Sequence, residues 1–255
     1  MDRFAVVSDI HGNILALEAV MADMAKRSIE GVINLGDNLS GPLWPNETGH
    51  ILMKQDWLNV QGNHDWNLLF KDPALLSLSD ANGYRHLDDE LRAWLNTLPA
   101  SLTLPGGIVA FHGTPAVKAK YLLETVENHR ARLATPTEIA ERLDGTQASL
   151  VLCGHSHFPR AVQQGGTLIV CPGSLGCQAY IDNDSDHVIE TGSPLARYAV
   201  IEKQNGSYAV DLISVPYDHL KAAEKAHTGG RPDWEIALRT GFMRSGSEKP
   251  YFPGM

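Results

Sequence analysis

The stretch Phe4-Ala5-Val6-Val7-Ser8-Asp9-Ile10-His11-Gly12-Asn13 decides how this chain is read. Its apolar run has no polar interruption, the pattern of a strand covered on both faces. The run stops at a polar turn that carries a carboxylate and an imidazole two residues apart. In extended backbone such a pair points the same way, toward one ion. Asn13 then caps a helix with Leu17, Val20, Met21 and Met24 on one face. Gly31-Val32-Ile33-Asn34-Leu35 repeats the strand pattern and ends at Gly36-Asp37. A helix over Asn46–Met53 follows Pro45, and Trp57-Leu58-Asn59-Val60 forms a further strand that ends at Gly62-Asn63-His64-Asp65. This β-α-β-α-β rhythm predicts an α/β fold with right-handed crossovers.

In such a fold the carboxyl ends of the strands share one edge, and ligands bind there. Two later motifs join the set: His112-Gly113 after Ile108–Phe111, and Gly154-His155-Ser156-His157 after Leu150–Cys153. Asp9, His11, Asp37, Asn63, His112, His155 and His157 are candidate metal ligands, enough for two ions, and the motifs carry one His more for acid chemistry. Gly36 lets the backbone turn sharply before Asp37. The carboxylate of Asp37 has two oxygens and can bridge two ions. A set of carboxylate, amide and imidazole donors without thiolate suits divalent Mn, Fe, Zn, Co or Ni.

The middle of the chain reads as an amphipathic helix over Asp88–Leu98, then a hairpin of Ser101–Leu104 and Ile108–Phe111 around Pro105-Gly106-Gly107. A helix is expected through Lys118–Arg132, and another over Glu138–Leu143 capped by Thr135 or Thr137. Ala161–Gln164 with Thr167–Cys171, and Ala196–Glu202 with Tyr208–Val215, read as two more hairpins. Helical segments near Asp218–His227 and Asp233–Thr240 follow. With no repeat or low-complexity linker, residues 1–255 read as a single domain with C-terminal helical segments and tail from about 216. The tail from Arg244 reads as irregular, with Tyr251 and Phe252 as an alternative partner contact. Asp182–Asp186 alternates oxygen donors but lacks the Gly and distal Glu of an EF-hand loop, and reads as a solvated loop. His50, His86, His129, His187, His219 and His227 match no motif and are assigned to surface or core. Pro172-Gly173-Ser174 reads as a tight turn.

Composition bounds the function. The 255 residues are 43% hydrophobic and 20% charged, enough for a sizeable core. A formal net charge of −9 opposes a life on nucleic-acid phosphates. Cys153, Cys171 and Cys177 form no Cys-x-x-Cys pair and read as buried thiols. No apolar stretch of about 20 residues occurs, so no membrane span is expected. Met1-Asp2-Arg3 leads straight into the first strand, which predicts a cytoplasmic protein.

Taken together and in this order, the motifs resemble those of the calcineurin-like metallophosphoesterases: Asp-x-His, Gly-Asp, Gly-Asn-His-Asp, His, and Gly-His-x-His. The resemblance runs from about residue 4 to residue 175 and is strongest to the small bacterial and archaeal phosphodiesterase branch. The loop Gly41-Pro42-Leu43-Trp44-Pro45 departs a little from that branch. The resemblance implies a four-layer α/β/β/α sandwich. It implies that Asp9, His11, Asp37 and His157 hold one divalent ion and Asp37, Asn63, His112 and His155 the other. Asp37 would bridge them with a shared hydroxide that attacks phosphorus in line. His64 would be the general acid, Asp65 would orient its ring, and Mn is the first expectation for the metal. The substrate implied is a small phosphoester, and a phosphodiester is favoured. Protein-phosphatase-like and dinucleoside-tetraphosphatase-like phosphomonoesterases carry an arginine shortly after this Asp, where this chain has Asn38-Leu39-Ser40-Gly41. A phosphomonoesterase, a non-catalytic scaffold and a DNA-repair nuclease are the alternatives.

Overall fold

Alternation along the first strand builds two layers at once. In β1 (Arg3–Val7), Phe4 and Val6 enter one apolar cluster while Ala5 and Val7 enter another. The computed structural model describes residues 1–182 and 185–243. After β1 come α1 (Ile14–Met24), β2 (Val32–Asn34), α2 (Pro45–Leu52), β3 (Leu58–Asn59), α3 (Asn63–Phe70), α4 (Leu78–His86) and α5 (Asp89–Thr97). Next are β4 (Ser101–Leu104), β5 (Ile108–Phe111), β6 (Glu124–Glu127), β7 (Arg130–Leu133), α6 (Pro136–Leu143) and β8 (Leu150–Leu152). Then follow β9 (Pro159–Gln164), β10 (Thr167–Pro172), β11 (Ala179–Asp182), β12 (His187–Glu190), β13 (Ala196–Gln204) and β14 (Ser207–Val215). Two helices, α7 (His219–Thr228) and α8 (Pro232–Thr240), complete the described chain.

Two five-stranded sheets, ordered β14-β13-β1-β2-β3 and β4-β5-β8-β10-β9, form the centre. The strands that carry the motifs run parallel: β1 with β2 and β2 with β3 in one sheet, β5 with β8 and β8 with β10 in the other. Phe4, Val6, Ile33, Ile108, Leu150, Leu152 and Ile201 share the cluster between the sheets. On the outer face of the first sheet, Leu17, Val20, Leu52, Leu91 and Leu95 of the helices cover Ala5 and Val7. On the outer face of the second, Ile139 and Leu143 of α6 cover Val151 and Ile169. These layers are the expected α/β/β/α sandwich. A four-stranded sheet, β11-β12-β7-β6, stands beside it.

The expected helix over Lys118–Arg132 is instead the β6–β7 hairpin. Asn128 and His129 both have positive φ, 50° and 62°, which is the backbone of a tight two-residue hairpin turn. The β-branched pair Thr125-Val126 favours a strand, and Arg132 ties Glu127 to Glu138. α4 and the β11–β12 pair had no clear periodic signal. Thr135 caps α6 in a capping box with Glu138. All three cysteines are buried and unpaired. Within Asp182–Asp186, Asn183 and Asp184 lie outside the described residues, as does the tail from Arg244 with Tyr251 and Phe252. Among the described residues no helix is long and apolar enough to cross a membrane.

Leu152 is fully buried between the two sheets. Leu152→Ala is expected to destabilise the fold by about 2–5 kcal/mol, read as a lowered midpoint in denaturant titration. A shift below about 1 kcal/mol would contradict this packing.

Candidate metal centre

The polar turns after β1, β2 and β8 are not extended. Asp9 (φ 56°), His11 (φ 50°), Asp37 (φ 57°), His155 (φ 68°) and His157 (φ 61°) all adopt left-handed backbone. Asp and His enter this region more readily than most residues, though at a cost. The extended geometry expected for Asp9 and His11 is therefore corrected: sharp turns bring the pair together. Neighbouring turns hold each other. Asp9 N–H donates to Gly36 O at 2.9 Å, His11 N–H to Asp37 O at 3.0 Å, and Gly154 N–H to His112 O at 2.7 Å. A side chain on Gly62 would collide with Asp37 Oδ1.

These turns assemble two donor groups, Asp9–His11–His157 and Asp37–His112–His155, in each of which the ligand atoms lie within 4.8 Å of one another. The imidazoles are held through Nδ1. His112 Nδ1 donates to Leu35 O at 2.7 Å and His157 Nδ1 to Cys177 O at 2.5 Å, while His11 Nδ1 meets Ser40 Oγ at 2.8 Å. The two carbonyl bonds put a proton on Nδ1 of His112 and of His157 and turn their Nε2 atoms toward the cluster. There the nitrogens face carboxylate oxygens and one another. His112 Nε2 lies 3.0 Å from Asp37 Oδ2 and 3.8 Å from Asp9 Oδ1, and His157 Nε2 lies 3.3 Å from Asp9 Oδ1. His11 Nε2 and His157 Nε2 are 3.4 Å apart. Asp9 Oδ1, Asn63 Oδ1 and His112 Nε2 are buried without a hydrogen-bond partner. Buried acceptors in this arrangement need a proton or a cation between them. Oxygen and imidazole donors converging this way fit divalent metal ions.

The charges agree. Burial alone would raise the Asp9 and Asp37 carboxyls. Facing imidazoles, His157 and His112 for Asp9, His112 and His64 for Asp37, instead hold both well below the usual range. Burial, with the neighbouring imidazoles, pushes His11 and His155 down to about 3, so both rings are neutral donors. Burial also disfavours charge on His112, but Asp37 and then Asp9 lift it to about 9. A metal ion would displace the proton held there.

His64 stands beside this cluster, its ring 5.5 Å from that of His11. Its partner is not the expected Asp65. His64 Nδ1 lies 2.6 Å from Oδ1 of Asp80, and Asn67 Nδ2 donates to the other oxygen at 3.1 Å. Asp65 is already committed: it accepts from the N–H groups of Asp37, Asn38 and Gly62 and from Asn38 Nδ2. Its carboxylate ties the Gly36-Asp37 and Gly62-Asn63 turns together, a bracing role rather than an orienting one. Burial, then Asp37, pushes its pKa up to about 6. Asp80 was missed because α4 has no clear apolar period. The signal available was Ser77-x-x-Asp80, a helix-start pattern, and Ser77 does cap α4.

Parts remote in sequence complete the surroundings. Tyr121 packs on His155 with ring centroids 4.8 Å apart, and Tyr180 on His157 at 4.6 Å. Trp234 of α8 meets the His11 ring edge-on at 5.9 Å. The Pro172-Gly173-Ser174 turn lies at the site, where Ser174 Oγ donates to Asp9 O at 2.8 Å. Leu175 N–H donates to Ser8 O and Gly176 N–H to Asp9 O, which fixes the segment against the turn after β1. His50, His86, His129, His187, His219 and His227 stay outside both donor groups.

Paired donor groups at the common edge of a four-layer α/β/β/α sandwich are two candidate sites for metal ions. The chain belongs to the calcineurin-like phosphoesterase superfamily, whose domain model matches residues 3–191. It is 26% identical over 249 residues to an uncharacterized protein of Methanocaldococcus jannaschii, covering 90% of this chain and 94% of that one. A crystal structure of a metallophosphoesterase from Sphaerobacter thermophilus is similar in fold, with TM-score 0.74 and 22% identity over 94% of this chain and 98% of that one. A hypothetical protein from Pyrococcus horikoshii OT3 gives TM-score 0.73 and 19% identity over 94% and 99%.

Metal-free protein is expected to gain thermal stability on adding Mn²⁺, about 2.7 kcal/mol at a hundredfold excess over the dissociation constant. Asp37→Ala should abolish that gain, read by differential scanning calorimetry. An equal gain in both proteins would remove Asp37 from the metal site.

Proposed function

We propose that this chain is a metal-dependent phosphodiesterase acting on small phosphodiesters, working as one domain. The supporting observation is the pair of donor groups with unpartnered buried acceptors beside a His64–Asp80 dyad. β13 pairs with β1, so the C-terminal strands belong to the site-bearing sheet. Asp9, His11 and His157 would hold one divalent ion, and Asp37, Asn63, His112 and His155 the other, with the two oxygens of Asp37 shared between them. When bound, such ions acidify water and neutralise charge on phosphoryl oxygens. The residues do the rest. With Nδ1 held by Asp80, the other ring nitrogen of His64 is the proton donor for the leaving oxygen. Buried Asp80 fixes the ring and favours its protonated form. Asn38, which stands in the loop where related phosphomonoesterases carry an arginine, is spent on Asp65. That leaves the loop without a clamp for a phosphate dianion and favours a diester.

Activity is expected with Mn²⁺ on model phosphodiesters above the matching monoesters. Proton donation matters most when the leaving alkoxide is poor. His64→Ala should therefore lower turnover of an alkyl leaving group about 10²–10⁴-fold, with a much smaller loss for 4-nitrophenol. Asp80→Asn should show the same contrast, more weakly. Equal losses on both leaving groups would exclude the acid role, and full turnover of monoesters alone would overturn the diester reading.

A further inference from the structure

Beyond residue 191, where the family match ends, the chain returns to the mouth of the site. α7 and α8 pack Ala222, Ala223, Trp234 and Leu238 against Leu43 and Cys177. Trp234 touches the His11 ring, and a side chain on Gly41 would meet its indole. At the start of α8, Arg231 lies with its guanidinium 5.9 Å from the Trp234 ring centre. Its Nη1 donates to Ser79 Oγ at 3.0 Å. Ser79 immediately precedes Asp80, which holds His64. The cation is thus suspended between the helix that touches the His11 side of the metal centre and the helix that holds the acid.

Its donors are unevenly spent. Nε and Nη2 reach the two oxygens of Asp233, at 2.9 and 2.6 Å. A guanidinium has five N–H donors. After Asp233 and Ser79 are served, one N–H on each terminal nitrogen has no partner among the described residues. The side chain is only 14% exposed, so these donors are mostly withheld from bulk water. Asp233 fixes the plane of the group, and a fixed fork binds an oxyanion with little ordering cost.

We propose that Arg231 binds an anionic group on the leaving part of the substrate, making it a specificity-determining residue for phosphodiesters whose leaving group is itself negatively charged. This rests on the phosphodiesterase reading above. His64 and Trp234 meet the same His11 ring, so leaving-group atoms beyond the oxygen that His64 protonates would extend along the Trp234 side, where Arg231 stands. A second phosphate or a carboxylate there meets the two uncommitted donors.

Two diesters that differ only at the far end of the leaving phenol test this: methyl 4-carboxyphenyl phosphate and methyl 4-carbamoylphenyl phosphate, with Mn²⁺-loaded full-length protein. The readout is the ratio of kcat/KM for the two, which cancels any loss of folded protein. Arg231→Gln is expected to lower the carboxylate-to-carboxamide ratio about 10–100-fold. Arg231→Lys should keep part of it, because the charge remains without the fork. An unchanged ratio in both variants would overturn the inference and leave Arg231 as a strut between α8 and α4. A selective loss on phenyl phosphate, a monoester, would overturn it in favour of a clamp on the phosphoryl group. Hydrolysis of neither diester by the unaltered protein would instead defeat the underlying reading.

Discussion

Acceptors that face acceptors in a buried space govern this molecule. His112 Nε2 and Asp37 Oδ2, His157 Nε2 and Asp9 Oδ1, and the two Nε2 atoms of His11 and His157 crowd together at hydrogen-bond range, more acceptors than there are protons between them. Such an arrangement is repulsive unless positive charge enters it. The fold keeps it because the apolar layers on either side are extensive. Phe4, Ile33, Leu150 and Leu152 between the sheets, and the helices outside them, hold the strand ends in place whatever stands at the edge.

The two sheets contribute unequally to the result. The first supplies Asp9, His11, Asp37 and Asn63, the second His112, His155 and His157. Hydrogen bonds that cross between them, such as His112 Nδ1 to Leu35 O and His155 N–H to Asp9 Oδ2, set their relative position before any ion is considered. Metal ions bound across both groups would join the sheets a second time, at the strand ends beyond the apolar interior.

Much of this was legible in the linear sequence, for an identifiable reason. Strands buried on both faces leave uninterrupted apolar runs, and each run here ends at its motif, so both the parallel core strands of these mixed sheets and the candidate donors could be read from Phe4–His11 outward. What failed was local. Lys118–Arg132 has enough helix formers to suggest a helix, but the Asn128-His129 turn and cross-strand pairing won. The partner of His64 could not be found by proximity in sequence. Asp65 is adjacent along the chain yet turned toward the Asp37 loop, whereas Asp80 arrives from another helix. Arg231 and Trp234 lay further still from any motif, since tertiary packing alone brings α8 to His11.

The left-handed backbone of Asp9, His11, Asp37, His155 and His157 sets stability and purpose against each other. Glycine would relax each of these turns and remove a buried polar group, so loss of the donor can leave a sturdier protein. Selection on folding alone would therefore erode the site rather than preserve it. An intact set of donors in so strained a backbone is a sign that the chain is kept for what it binds.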